Sequence, residues 1–182
     1  SDIPKKQHTI SKSEATKIKT VDYTRASSAI GSENCKDSDG GKNTTNTRRG
    51  EWLCYDISVP YGAIYNFDMR YAGPNDGIGF DVYIDGELAV GFSGISNTGG
   101  LAVWQTTDSK LILIPEGSHE LKIHFTGAEQ NVNYFTFTPY STSGEISKNA
   151  YTFENAIHAI SYDDSSDIVV YPDEFSNQKL YS

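Results

Sequence analysis

An all-β sandwich, two antiparallel sheets packed face to face, is the fold class this sequence predicts, and three observations predict it. Residues 50–62, GEWLCYDISVPYG, set Leu53, Tyr55, Ile57 and Val59 in alternation with Cys54, Asp56 and Ser58. A period of two in β-branched and aromatic residues buries one face of a strand and leaves the other open. Short runs of this kind recur with turn residues between them and without a helical pattern, as in a sandwich. The composition agrees: 12 Tyr and 8 Phe stand against one Met, and 16 Gly supply tight turns.

Taken in order, residues 1–16 are polar, with Lys5, Lys6, Lys12 and Glu14, and read as an extended lead-in to a sandwich spanning residues 17–139. Residues 17–25, with Ile18, Val21 and Tyr23, read as its first strand. Residues 26–49 are Ser, Gly, Asn, Asp and Thr almost throughout. A connection of that length in a compact domain is functional or holds a short strand of its own. Pro60 ends the 50–62 stretch, having no N–H to give the ladder, and residues 63–72 are expected to pair back as a hairpin. Residues 79–84 form a strand with Phe80, Val82 and Ile84 on one face. Asp85-Gly86 then makes a turn whose two central residues need positive φ, and residues 87–92 return. A Gly-rich loop at 97–100 leads to an extended piece around Trp104. Residues 110–114 form a strand stopped by Pro115-Glu116-Gly117, and 119–125 are expected to pair back on it with Leu121, Ile123 and Phe125 facing one way. Residues 131–138, NVNYFTFT, are the last strand of the set.

Residues 140–182 begin as a Ser/Thr/Gly linker, after which Ile157-His158-Ala159-Ile160-Ser161-Tyr162 echoes Ile18-Lys19-Thr20-Val21-Asp22-Tyr23. This segment either opens a second, truncated module or packs on the first. Tyr151, Phe153, Ile157, Ile160, Ile168, Val169, Val170 and Tyr171 are too apolar for a free tail and favour packing.

The formal net charge of −9 speaks against nucleic acid, whose binders carry a basic stripe. Apolar runs stay short of the ~18 residues of a membrane span. The start of the sequence shows no leader, which suits a cytosolic protein or a mature secreted one. Cys35 and Cys54 are either bridged, closing a loop worth about 3 kcal/mol, or free thiols. Asn43-Thr44-Thr45 matches a glycosylation sequon.

An ordered series of short motifs runs through the sandwich: Asp22-Tyr23, Asp39-Gly40-Gly41-Lys42-Asn43, Gly50-Glu51-Trp52-Leu53-Cys54-Tyr55, Phe67-Asp68-Met69-Arg70-Tyr71-Ala72, Tyr83-Ile84-Asp85-Gly86, Asn97-Thr98-Gly99-Gly100, Trp104-Gln105-Thr106 and Asn131-Val132-Asn133-Tyr134-Phe135. Together these resemble the family-6 carbohydrate-binding modules, with family 35 as a close relative. The resemblance implies a jelly-roll sandwich, from a secreted or extracellular protein, that binds a polysaccharide or oligosaccharide and is tethered to a glycoside hydrolase or lyase. It implies a cleft between loops at one end of the sandwich, bounded here by Ser32, Glu33, Leu101, Trp104 and Asn131. Asn131 hydrogen-bonds the sugar, its amide donating and accepting, and Glu33 accepts from hydroxyls. Where the family places its first aromatic plate this sequence has Ser32. The second falls on Leu101, with Trp104 structural, or on Trp104 itself if the loop has gained residues. Trp52 is taken as packing. A family calcium site uses two Glu residues beside the Asp-Tyr pair; Lys19 and Val21 stand there, and neither offers a carboxylate, so no cofactor is expected.

A catalytic constellation is not legible. His119 and His124 differ by an odd number along one strand and face opposite ways, and no His pair has metal-ligand spacing. Glu33 and Asp37 are the one local carboxylate pair that could flank a sugar, and a solvated acidic loop explains them better. The expectation is a noncatalytic glycan-binding module. The alternative is a structural or protein-interaction sandwich that has lost its sugar site.

Overall fold

The computed structural model describes residues 6–140, so the linker and the echo at 157–162 lie outside the described residues. Thirteen strands and one 3-10 turn follow in order: β1 Gln7–Thr9, β2 Thr16–Lys19, the 3-10 turn Thr20–Asp22, β3 Arg25–Ala26, β4 Gly31–Asn34, β5 Lys42–Thr47, β6 Trp52–Val59, β7 Ala63–Ala72, β8 Ile78–Ile84, β9 Glu87–Ile95, β10 Gln105–Thr106, β11 Lys110–Ile114, β12 Gly117–Phe125 and β13 Gln130–Pro139. The first sheet runs β1-β6-β12-β8-β9, with β3 also on β6. The second runs β10-β7-β13-β5-β4, with β11 on β7 and β2 on β13. Pairing is antiparallel except for β1, which lies parallel to β6.

The alternation read in the sequence is the packing seen. Leu53, Tyr55, Ile57, Val82, Leu121, Ile123 and Phe125 are fully buried and Ile84 nearly so. Phe67 on β7 sits at the centre of the seam, its ring centroid 5.2 Å from Phe137, 5.6 Å from Phe135, 5.9 Å from Phe92 and 6.3 Å from Phe80. These rings come from both sheets, so their burial is what joins the layers. Tyr55 enters the same core because its hydroxyl has a partner, donating to the Thr20 carbonyl at 2.6 Å.

Two expected hairpins are not made. β6 and β7 lie in different sheets, and so do β11 and β12. The Pro60–Gly62 and Pro115-Glu116 connections are corners that carry the chain across the sandwich. They pack backbone against backbone, since a Cβ on Gly62 would stand 3.0 Å from the Glu116 amide nitrogen. Alternation reports that a strand has one buried face, and it is silent on which sheet supplies the neighbour. The Asp85-Gly86 hairpin is made, with φ of 50° and 83°.

The chain before β2 contributes more than a lead-in: β1 pairs with β6, and Ile10 is fully buried in the core. The first predicted strand stops at Lys19, because the Thr20 hydroxyl takes the Val132 carbonyl at 2.6 Å and the backbone turns there. Val21 is half-buried and Tyr23 exposed. The polar stretch 26–49 holds β4, β5 and the end of β3.

Cys35 follows β4 in the second sheet and Cys54 lies within β6 in the first, and both are free thiols. The bridge is not made, and burial pushes both thiols up from their ordinary value.

Replacing Phe67 by Ala removes the ring that touches four others, and truncations of this kind cost about 3–5 kcal/mol. Urea unfolding should show the midpoint falling with the slope unchanged.

Candidate functional site

β4 is a short edge strand whose Glu33 pairs with Asn43 of β5, and β5 in turn pairs with β13. The start of β13 therefore lies near the tip of β4. There the Asn131 amide donates both its N–H groups, to Glu33 Oε1 at 2.8 Å and to the Leu101 carbonyl at 2.9 Å. Asn43 Nδ2 approaches the same Glu33 oxygen at 3.4 Å. Three of the five residues expected at the cleft are thus joined by hydrogen bonds, and Ser32 lies exposed beside Glu33 on β4.

The loop that carries Leu101 is fixed before any ligand arrives. Gly73 N donates to Thr98 Oγ1 at 2.9 Å, and Thr98 N donates back to the Gly73 carbonyl at 2.8 Å. The Asn97 amide and backbone N–H both reach Asp76 Oδ1, at 2.7 and 2.8 Å. Tyr71 donates its hydroxyl to the Ser96 carbonyl at 3.0 Å. Gly99 takes φ of 98°, a conformation that side chains resist, which lets the chain turn back toward β13. The loop tip is apolar and open: Leu101 is 39% exposed and Val103 48%. Trp104 is partly buried, and its Nε1 is sheltered from solvent without a hydrogen-bond partner among the described residues.

Both Asn131 donors are used inside the protein, so the group it has left to offer is Oδ1, an acceptor. Glu33 likewise keeps Oε2 free of partners among the described residues. The site presents acceptors, which suits the hydroxyl donors on the rim of a sugar.

Glu33 and Asp37 do not form a catalytic pair. Asp37 belongs to a second cluster, below the 35–41 turn. Arg70 of β7 grips it with Nε at 2.8 Å and Nη2 at 2.9 Å, and Asn133 Nδ2 adds a bond at 3.1 Å. Hydrogen bonds from Arg70 hold the Asp37 carboxyl well below the usual carboxylate range. Burial pushes Asp39 up, but hydrogen bonds from Asn133, Lys17 and Lys19 outweigh it and its carboxyl too is lowered.

Asn43 lies fully buried with its Nδ2 bonded, so the folded chain does not present this sequon for glycosylation. It is instead a support for Glu33 that the sequence pattern did not reveal. Trp52 is outside the main core, on the open face of β6, with Lys122 Nζ 5.3 Å and the Arg25 guanidinium 5.9 Å from its ring centroid. An open hollow of about 410 Å³, lined by Gln7, Asp56, Asp85, Ser118, His119 and Glu120, lies on the first sheet and shares no residue with the Glu33 cluster.

A two-layer β-sandwich with fixed acceptors and an apolar rim between its loops has the architecture of a glycan-binding module. Residues 20–139 match the family described as carbohydrate binding module (family 6), and the chain belongs to that family of noncatalytic polysaccharide-binding modules. The clotting factor G alpha subunit of Tachypleus tridentatus is 32% identical over 108 residues, which is 58% of this chain but only 16% of that protein. The C-terminal family-6 module of LamC, a marine laminarinase from Zobellia galactanivorans, is 26% identical with a TM-score of 0.62, over 68% of this chain and 98% of that one. A β-1,3-glucan-binding family-6 module from Bacillus halodurans shares the fold at 24% identity and a TM-score of 0.64, over 73% of this chain and 99% of that one.

The lowered Asp37 carboxyl makes stability depend on acid. Its contribution is fully present above the unfolded carboxylate value, ~4, and is lost as pH falls through the lower folded value. Replacing Arg70 by Met should cost roughly 1.5–3 kcal/mol at neutral pH, the range for hydrogen bonds to charged groups. It should also flatten the acid limb, which denaturant melts at a series of pH values will read.

Proposed function

We propose that this chain binds a β-glucan of the laminarin type through the loop end of its second sheet, as a secreted or extracellular module that holds a tethered glycoside hydrolase or lyase near its substrate. The observation that carries the reading is the convergence of Glu33, Asn131 and the Leu101 carbonyl on one point. Glu33 Oε2 and Asn131 Oδ1 accept from ring hydroxyls, the Glu33 bond being the stronger for its charge. Ser32 adds a hydroxyl at the edge. Leu101 and Val103 meet the C–H faces of the sugar, and the partly exposed Trp104 supplies the aromatic plate. The β-glucan preference is supported by the relatives, a laminarinase module and a β-1,3-glucan-binding module among them. Tethering raises the effective concentration of the partner domain on an insoluble substrate without new chemistry.

A second reading places the sugar on the open face of the first sheet, because Trp52 stands there outside the core beneath Lys122 and Arg25. The two readings separate by mutation.

With one aromatic plate and two or three hydrogen bonds at ~1 kcal/mol net each, set against ordering cost, the Kd should be high micromolar or weaker. Titration of laminarin, lichenan, cellulose and xylan oligomers into wild type, Glu33→Ala, Asn131→Ala, Trp104→Ala and Trp52→Ala gives the test. The loop-end reading expects a preference for β-1,3-linked glucan and about tenfold weakening from loss of either acceptor. Loss confined to Trp52→Ala moves the site to the sheet face, and an absence of binding by wild type returns the sandwich to a structural role.

A further inference from the structure

The 35–41 turn is tied to the sheet by cations, and one of them is enclosed by oxygens. Lys19 Nζ donates to Asp39 Oδ2 at 3.2 Å, to the Gly40 carbonyl at 3.0 Å and to Asn133 Oδ1. Asn133 is fully buried, and its orientation is set by its other end, where Nδ2 donates to Asp39 Oδ1 at 2.7 Å and Asp37 Oδ2 at 3.1 Å. Lys17 approaches Asp39 Oδ2 at 3.0 Å from the outer side. The Lys19 side chain is 23% exposed, so its stem is largely covered while its charge is met from within.

One carboxylate oxygen, one backbone carbonyl and one side-chain amide oxygen are the hard donors that a calcium ion takes. The family resemblance places a calcium ion near the first strand, on carboxylates at positions 19 and 21 beside the Asp22-Tyr23 pair. Here position 19 brings a positive charge into the oxygens, and position 21 is a half-buried valine with no oxygen to give. A divalent ion among these donors would meet the ammonium at contact distance. Among the described residues no group of three or more His, Cys, Asp or Glu side chains is placed to hold a metal.

We propose that Lys19 is a tethered cation standing in for a bound metal ion, and that the fold and the glycan site of this module are therefore independent of divalent cations. The ammonium closes the oxygens of Asp39, Gly40 and Asn133, and so joins β2, β13 and the turn between β4 and β5. That turn joins the strand holding Glu33 on one side to the strand holding Asn43 on the other. A bound metal stabilises only as the logarithm of its free concentration relative to its Kd, and not at all when the metal is absent. A lysine on the chain is always present. This inference stands on the turn's own contacts and holds or falls separately from the choice of sugar.

The experiment is a set of thermal melts of the whole chain, in EDTA and in millimolar CaCl2, for wild type, Lys19→Met and Lys19→Glu, with calcorimetric titration of CaCl2 into wild type alongside. Wild type should melt at the same temperature in both buffers and give no calcium heat. Lys19→Met should melt several degrees lower in both, because it leaves the Gly40 carbonyl and Asn133 Oδ1 without a donor and Asp39 Oδ2 with Lys17 alone. Lys19→Glu should be destabilised in EDTA and recover in calcium, since a carboxylate at position 19 completes a metal-binding set. A wild-type Tm that rises with calcium overturns the proposal, as does a Lys19→Met variant that melts with wild type or a Lys19→Glu variant indifferent to calcium. If neither variant folds, the two wild-type measurements still decide it.

Discussion

The bulge in β13 is the constraint on which both the core and the loop end depend. Val132 pairs with Tyr71 and Tyr134 with the next residue back, Arg70, so Asn133 is an extra residue in the ladder. A strict alternation would put Val132 and Phe135 on opposite faces. The bulge brings both into the core, fully buried, and turns Asn133 out of the ladder toward Lys19, Asp37 and Asp39. Asn131, one step before the bulge, is left facing Glu33 and Leu101. Bulges of this type re-aim side chains beside functional sites, and here one extra residue serves both polar clusters.

The chain carries a net charge of −9, yet three of its 15 basic residues, Lys17, Lys19 and Arg70, form ion pairs with the carboxylates of one turn. The other Lys and Arg ion pairs among the described residues are open to water. Lys6–Asp22 and Arg25–Glu120 have side chains between 35% and 62% exposed, and such pairs contribute on the order of 0–1 kcal/mol. Arg70–Asp37 is different: the carboxylate is 6% exposed, the contact is bidentate, and Asn133 supplies a further donor. A carboxylate held that way is costly to leave unpaired. The strong electrostatics of this protein is thus concentrated where a polar loop must be made rigid without an apolar core of its own.

Most of the strand pattern was legible because a half-buried strand writes its face into the sequence. β7 and β11 fall on the expected residues, and Leu53, Tyr55, Ile57, Val82, Ile84, Leu121, Ile123 and Phe125, expected on inward faces, are buried. What could not be read is which sheet each strand joins. The β6–β7 and β11–β12 connections look like hairpin turns locally, and become corners only when both sheets are present. The polar 26–49 stretch hid β4 and β5 for a related reason. The buried side chains there are Asn43, Thr44 and Thr47 of β5: Thr44 and Thr47 donate to carbonyls of β13 and Asn43 Nδ2 to Glu33 and the Thr44 carbonyl, so the stretch has no apolar period to detect. Of the candidate site, the proximity of Glu33, Leu101 and Asn131 was expected from the family resemblance, and hydrogen bonds join the three. The direction of the Asn131 amide was not expected, since its donors are taken by groups 98 and 30 residues away.

As a proposed binding surface, the loop end is built with little aromatic area. Stacking rings bring affinity because they are flat and lose little freedom on binding. Leu101 and Val103 offer less area and more rotamers, so each contact with a sugar face is weaker. The compensation is rigidity elsewhere. The 96–104 loop is closed by the Thr98–Gly73 and Asn97–Asp76 bonds before a sugar arrives. The 35–41 turn is held by Arg70 and Lys19. Groups already in place cost little further ordering when a ligand binds. A surface of this kind favours selectivity over strength: fixed acceptors reward a sugar whose hydroxyls match them and leave a mismatched one with unpaired groups.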